Sequence, residues 1–202
     1  MTRWIVFFAC ADVFLAYPAF DLHVAALFYT PGVGFALGGQ PWERALYHSV
    51  PIAVVGIALG MIGAWFRRAL DGRTLVALLA LLIVVPGLLV NQTLKEQCGR
   101  PRPLQVAAFG GTQRFVPAFV CSAESGGSFS SGHAAAAFYL VAVAATLAPR
   151  RAAWQVLAWS YALAVGFARI ASGAHFLSDV LVSGLLIWVS LPLVYRWRGR
   201  RR

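Results

Sequence analysis

The chain has 202 residues, 60% hydrophobic and 12% charged, against roughly 45–50% and about 25% in ordinary soluble domains. With a mean hydropathy of +0.72, it has too little polar residue to cover one aqueous core, which excludes a water-soluble globule. Three Cys and 19 Gly without a repeat exclude disulfide-scaffold and collagen-like chains.

The net charge of +10 does not point to nucleic acid, because the basic residues form no stripe interleaved with aromatics. All but Lys95 are Arg, and most sit in short clusters between uncharged runs, the pattern of a membrane topology signal.

In chain order, Trp4 to Phe20 reads as a first span. Asp12 in its middle and Tyr17-Pro18-Ala19-Phe20 at its end argue against a cleaved signal peptide. Asp12 is costly there unless it is paired with a neighbouring helix or lies near the interface. Asp21 to Leu46, rich in Pro and Gly, predicts a loop with at most short helices. Its residues His23 and Glu43, and His48 just beyond, are taken as structural or interfacial, since their spacing matches no metal site. Tyr47 to Phe66 and Thr74 to Leu94 are uncharged runs of 20 and 21 residues, each able to cross about 30 Å of hydrocarbon. Shorter spans are predicted from His133 to Ala148, Ala152 to Ala168 and Phe176 to Tyr195. With the N terminus inside, 11 of the 17 basic residues, Arg200, Arg201 and Arg202 among them, fall on the cytoplasmic side. The expectation is therefore an all-α, polytopic membrane protein. It is a bundle of six transmembrane helices with both termini cytoplasmic, and residues 1–202 form one membrane-embedded domain.

Three polar stretches reach the same outer side in this topology. Lys95-Glu96-Gln97-Cys98-Gly99-Arg100-Pro101-Arg102-Pro103 follows the third span, and its prolines hold three cations outside the membrane. Taken alone, it would read as basic residues snorkelling to headgroups. Ser128-Phe129-Ser130-Ser131-Gly132-His133 opens the fourth span. A helix N-terminus there offers free N–H groups to an anion, although a serine at such a place also serves as an N-cap. Arg169 closes the fifth span, with Gly173 a plausible turn. His175 and Asp179, four apart, share a helical face and are able to hydrogen-bond. The carboxylate would then fix the imidazole tautomer, or the pair would merely stabilise a helix junction. Three cations with two histidines and a carboxylate suit phosphoryl transfer. Fixed positive charge neutralises the phosphate, one imidazole attacks phosphorus and the other protonates the departing oxygen.

Lys95-x6-Arg102-Pro103, Ser130-Ser131-Gly132-His133 and Arg169-x5-His175-x3-Asp179 together resemble the three-part signature of the type 2 phosphatidic acid phosphatase superfamily. The resemblance implies that Lys95, Arg102 and Arg169 bind phosphate oxygens, with added hydrogen bonds from Ser131 and the Gly132 backbone. It makes His175 the nucleophile, Asp179 its orienting partner and His133 the general acid. It implies a metal-independent phosphoric ester hydrolase without cofactor, acting on a lipid phosphate in the bilayer. Two positions depart from the pattern, Ser130 where Pro is usual and Ala168 where Ser is usual, which puts the subfamily in doubt more than the chemistry.

The run Phe109-Gly110-Gly111, Phe115-x-Pro117 and Ser128-Phe129-x-Ser131-Gly132-His133 is similar to the bacterial lipid A phosphatase branch, whose members face the periplasm from the inner membrane. Phosphatidylglycerophosphate and undecaprenyl pyrophosphate stay open as substrates. A lipid phosphotransferase and a lipid-binding transporter stay open as activities. The aromatic loop from Leu104 to Gly127 is expected to form a lip on the membrane surface, to pack onto the bundle, or both. Cys98 and Cys121 lie on the oxidising side and are candidates for a bridge pinning that loop to the phosphate-binding segment, while Cys10 is a small apolar residue of the first span.

Overall fold

The computed structural model describes residues 2–124 and 126–199; Arg200, Arg201 and Arg202, assigned by sequence to the cytoplasmic side, lie outside the described residues. The chain is all-helical, and among the described residues there is no β-strand, only isolated bridges between Thr30 and Gly34 and between Val106 and Gln113.

The first expected span, Trp4 to Phe20, is broken. Helix α1 (Thr2–Ala16) stops before Pro18, and α2 (Ala19–Ala26) leaves at 83° to it. Proline supplies no N–H to the preceding turn and drives the residue before it out of helical conformation. The run from Asp21 to Leu46 is also less of a loop than its Pro and Gly content predicts. Its first residues lie in α2, and α3 (Pro41–Phe66) begins with proline at its first position, where a missing N–H costs nothing. Asp12 faces outward from the bundle and has no partner among the described residues.

Helix α4 runs from Gly72 to Gln97. Asp71 caps it, accepting from Thr74 N at 2.9 Å and Thr74 Oγ1 at 2.6 Å. From Ile83 to Leu94 the turns widen to π-helical geometry. Pro86 sits inside this stretch and breaks the regular ladder, while Asn91 Nδ2 donates to the Pro86 carbonyl at 2.8 Å and Thr93 Oγ1 to the Leu88 carbonyl at 3.1 Å. The widening changes the register of everything after it, Lys95 included.

Helices α5 (Gly132–Leu147), α6 (Ala152–Ala171) and α7 (Leu177–Gly199) pack together; α5 and α7 also pack against α4, and α6 against α3. Ala134, Ala137 and Ala142 on α5 let the backbones approach closely, and Leu78, Tyr139, Ala162, Val165, Val180 and Ile187 fill the core. The outer faces are apolar as well: Ile52, Val55 and Leu59 on α3 and Trp154, Leu157, Leu163 and Phe167 on α6 are exposed, the exterior that a hydrocarbon solvent selects. Helices α3, α4 and α7 are long and apolar enough to cross a membrane. The bent pair α1 and α2 makes a fourth if it is one span, and α5 is a shorter apolar helix.

At one end of the bundle Arg198 Nη1 donates to the Thr146 carbonyl at 3.2 Å. At the other end the start of α3, the end of α4, the start of α5, the end of α6 and the start of α7 meet.

Candidate active site

Backbone hydrogen bonds draw the three polar stretches into one place. Leu104 N donates to the Gly173 carbonyl at 3.0 Å, which ties the Arg102 segment to the turn between α6 and α7. Gly173 makes that turn at φ +68°, with the ring of Phe35 where a Cβ would stand. Ser131 N donates to the Asp179 carbonyl at 3.3 Å, and Ser183 Oγ returns to the Ser131 carbonyl at 2.9 Å, so the starts of α5 and α7 are stitched side by side. Lys95 is half-buried at the end of α4, with Gly127 packed against its side chain. Lys95, Arg102, Arg169, His133 and His175 form one connected electrostatic cluster. Arg169 acts on Lys95 and on both histidines, and Arg102 acts on Lys95, Arg169 and His175.

His175 is buried in the turn before α7, not on that helix with Asp179 as the four-residue spacing predicts. Its Nδ1 lies 2.8 Å from the Ser128 carbonyl oxygen and 3.7 Å from Asp179 Oδ2. A carbonyl only accepts, so Nδ1 carries the proton and the lone pair belongs to Nε2. Burial holds the imidazole below its ordinary value of 6.5 and outweighs the opposing pull of Asp179.

Asp179 is engaged elsewhere. Its Oδ2 accepts from Phe176 N at 2.7 Å and Ser128 Oγ at 2.5 Å, and its Oδ1 from Arg100 Nη1. Arg100 is a fully buried hub. Nη1 also meets Ser178 Oγ at 2.8 Å, Nη2 meets Asp21 Oδ2 at 2.7 Å, Nε meets the Val116 carbonyl at 2.9 Å, and the guanidinium lies 4.5 Å from the Phe176 ring centroid. Asp21 accepts in turn from Ser178 N at 2.9 Å. Two carboxylates thus sit at the start of α7, one on the Ser178 N–H of its first turn and one on the Phe176 N–H just before it, where the helix dipole favours negative charge, with one guanidinium between them.

Ser131 is buried and is the N-cap of α5, its hydroxyl accepting from Ala134 N at 3.4 Å. Gly132 is required by close approach, because a Cβ there would stand 2.3 Å from Asn91 Oδ1. His133, half-buried, stacks on the Tyr47 ring at 4.1 Å and 24°. Arg169, also buried, donates from Nη1 to Glu43 Oε1 at 2.7 Å and lies 4.9 Å from the Tyr47 ring centroid; its Nε has no partner among the described residues.

Sequence reasoning assigned no site role to Glu43, Tyr47, Asp21, Arg100 or Ser128. Pro41 followed by Glu43 and Tyr47 one turn apart was the available signal for α3, a helix start with two site-facing positions. Nothing in the linear order pairs Asp21 with Arg100. The loop aromatics pack inward. Phe109 is buried against Tyr29 and Phe35, Phe115 against Phe176, and Phe119 between Phe7 and Phe129. Cys98 and Cys121 are joined as a disulfide, and Cys10 is free.

Clustered cations around a buried imidazole with its outer nitrogen unprotonated, at one end of an apolar helical bundle, define a membrane protein equipped to bind an oxyanion. Residues 73–202 match the PAP2 superfamily, and the chain belongs to that family. It is 30% identical over 203 residues to the lipid A 4'-phosphatase of Francisella tularensis subsp. novicida, covering 94% of this chain and 90% of that protein. Its identity with the lipid A 4'-phosphatase of Rhizobium leguminosarum is 31%, with the same coverages, and with that of Rhizobium etli it is 32%, covering 93% of this chain and 80% of that protein. The crystal structure of a PAP2-type phosphatidylglycerolphosphate phosphatase from Bacillus subtilis superimposes with a TM-score of 0.54. The two are 23% identical, and the match covers 94% of this chain and 97% of that one, which shows a shared fold.

Proposed function

We propose that this chain is an integral membrane lipid phosphatase that removes a phosphate monoester from lipid A, at the 4' position, on the extracytoplasmic face. The observation that carries the reading is the His175 ring. Nδ1 is tied to the Ser128 carbonyl, Nε2 holds the lone pair, and Arg102 and Arg169 act on the ring.

In the proposed reaction Lys95, Arg102 and Arg169, with the Gly132 N–H seated by the Ser131 cap, hold the phosphate oxygens and neutralise the charge that develops in the transition state. Nε2 of His175 attacks phosphorus in line. The N–P bond forms as the bond to the sugar oxygen breaks, and His133 gives that oxygen its proton. Water then attacks the phosphohistidine, His133 takes its proton, the N–P bond breaks and inorganic phosphate leaves. Asp179 acts as the anchor of the Ser128–Phe176 frame around the ring. The relatives' shared activity supports lipid A as substrate.

In the proposed topology the chain crosses the inner membrane six times with both termini cytoplasmic, and the site faces the periplasm. The clustering of arginines opposite the site end supports this orientation.

The deciding experiment incubates the purified chain in detergent with lipid A, phosphatidylglycerophosphate, undecaprenyl pyrophosphate and phosphatidic acid. Phosphate release is measured, and the lipid A product is mapped by mass spectrometry. Loss of the 4'-phosphate with free inorganic phosphate is expected. Preference for another lipid overturns the substrate, phosphate appearing only on a second lipid makes the chain a transferase, and no release from any of them overturns the enzyme reading.

A further inference from the structure

The start of α3 reaches the site from outside the three polar stretches. Glu43 and Tyr47 lie one turn apart on it. Glu43 is buried, accepts from Arg169 Nη1 at 2.7 Å through Oε1 and from Gly39 N at 3.3 Å through Oε2, and so is itself held at both oxygens. A guanidinium has a side fork made by Nε and Nη2 and an end fork made by the two Nη atoms. Engagement of Nη1 by Glu43 leaves the side fork, whose Nε is buried without a partner among the described residues. A buried unpaired donor of this kind costs free energy unless an acceptor arrives, and a tetrahedral oxyanion matches that fork with two parallel hydrogen bonds.

Tyr47 touches both working groups. Its ring packs flat on His133 and carries the Arg169 guanidinium against it. The charged or titratable groups that act on His133 are Lys95 from α4, Arg169 from α6, His175 from the following turn and His48 from α3. Among the described residues none of these forms a hydrogen bond with His133, so the stacked phenol ring is a contact that holds its plane.

We propose that Glu43 and Tyr47 are positioning residues of this site: Glu43 turns the Nε/Nη2 fork of Arg169 toward phosphate, and Tyr47 sets the plane of His133 for proton delivery to the leaving oxygen. The assignment rests on the phosphatase reading above. It extends the site to a fourth segment, contributed by α3, outside the matched residues 73–202.

The two roles separate by substrate. A sugar or alkyl alkoxide leaves poorly without a proton, whereas 4-nitrophenolate needs little help. Impaired proton delivery therefore shows with lipid phosphate and fades with 4-nitrophenyl phosphate, while impaired phosphate binding shows with both. The full chain in detergent is compared with Glu43→Ala, Glu43→Gln, Tyr47→Leu and Tyr47→Phe on both substrates, with inorganic phosphate as competitive inhibitor. Glu43→Ala is expected to raise KM and the phosphate inhibition constant together by about tenfold or more on either substrate, and Glu43→Gln, which keeps an acceptor oxygen, by less. Because His133 also takes the proton of the hydrolytic water, a step common to both substrates, the comparison is made on kcat/KM, which reports the reaction up to departure of the leaving group. Tyr47→Leu is expected to lower it by about tenfold or more on lipid phosphate and by under about threefold on the aryl phosphate, with Tyr47→Phe close to wild type.

An equal fall in kcat/KM on both substrates in Tyr47→Leu, or a Tyr47→Phe as impaired as Tyr47→Leu, overturns the role of Tyr47. Unchanged KM and phosphate inhibition in Glu43→Ala overturns that of Glu43, and Glu43→Gln with wild-type constants does the same if the alanine variant does not fold. If the wild-type chain turns over neither substrate, the phosphatase reading has failed instead. Protection against thermal unfolding by inorganic phosphate then decides the Glu43 assignment, which requires about tenfold more phosphate for Glu43→Ala than for wild type, and the proton-delivery role of Tyr47 falls with the reaction.

Discussion

His175 Nδ1 faces the Ser128 carbonyl oxygen at 2.8 Å, nearly 1 Å closer than its distance of 3.7 Å to Asp179 Oδ2. The tautomer is therefore set by a peptide group, which neither titrates nor moves independently of the loop. Asp179 fixes that loop through Ser128 Oγ and Phe176 N. Two outcomes follow for His175. Its replacement by alanine is expected to abolish phosphate release, by at least about 10³-fold, with the thermal unfolding profile retained. In wild type the acid limb of kcat/KM should lie below the ordinary imidazole value of 6.5, because burial depresses the His175 value. The sign for stability agrees. The unfolded chain binds a proton at His175 at higher pH than the folded chain does, so the folded state loses stability as pH falls through 6.5 toward the folded value. A pH-rate profile and melting curves between pH 8 and about pH 5 check both.

Arg100 between Asp21 and Asp179 is a buried charge cluster whose removal has a predictable sign. Arg100→Ala strands two carboxylates in a site that water does not reach, and such loss of one partner costs about 3–5 kcal/mol. Arg100→Lys should recover little, since a single ammonium cannot reach Asp21, Asp179, Ser178 and the Val116 carbonyl together. Asp21→Asn should be milder, because the amide oxygen still accepts from Ser178 N. Melting temperatures of the three variants in one detergent give the order.

What was legible in the sequence was whatever local spacing encodes. Lys95 with Arg102, Ser131 with Gly132 and His133, and Arg169 with His175 and Asp179 each sit within one short segment, so their residue types and intervals could be read locally. The cluster they form was legible from topology alone, since alternate helix ends fall on one side. Glu43, Tyr47, Asp21 and Arg100 act through side-chain partners 78 to 157 residues away, and no local pattern announces a long-range pair. Pro86-Gly87 is readable as a break within its span, but the sharp bend at Pro18 and the π-helical widening from Ile83 to Leu94 were obscured because hydropathy registers an apolar run without registering its backbone geometry.

The Cys98–Cys121 bridge closes a separation of 23 residues between the Arg100 segment and the aromatic loop. Chain-entropy arguments give a loop of this size about 3 kcal/mol. Cys98→Ser with Cys121→Ser should lower the melting temperature, and the wild-type mass measured without reductant should be two protons lighter than the reduced form. Two free thiols in the wild-type protein would refute the bridge.

Asp71 offers a control remote from the site. Hydrogen bonds from the Thr74 side chain and backbone hold its carboxyl below the usual value. The stabilisation is therefore present above the unfolded value and lost as pH falls through the folded one. Asp71→Ala should cost about 1 kcal/mol, the usual worth of an N-cap, and leave KM unchanged, which melting curves and kinetics on one sample measure together.

Gly132 and Asn91 supply the most specific test of how α5 is seated. A methyl group at Gly132 would meet Asn91 Oδ1 at 2.3 Å, and Asn91 is not free to swing away because its Nδ2 is bonded to the Pro86 carbonyl in the widened turns of α4. Gly132→Ala must therefore push the start of α5, with the N–H groups that seat phosphate and with His133 behind them, away from the Lys95 end of α4. Overpacking of this kind costs about 1–3 kcal/mol, and displacement of the anion seat should lower kcat/KM by more than that stability loss alone would. Asn91→Ala alone should cost about 1 kcal/mol, the usual net worth of the hydrogen bond from its Nδ2 to the Pro86 carbonyl. In the double variant Gly132→Ala with Asn91→Ala the added methyl occupies the space vacated by the amide, so the two effects should be non-additive, with stability and kcat/KM both partly restored. Strict additivity would mean that the two side chains do not meet, and the contact that makes glycine obligatory at 132 would have to be sought elsewhere.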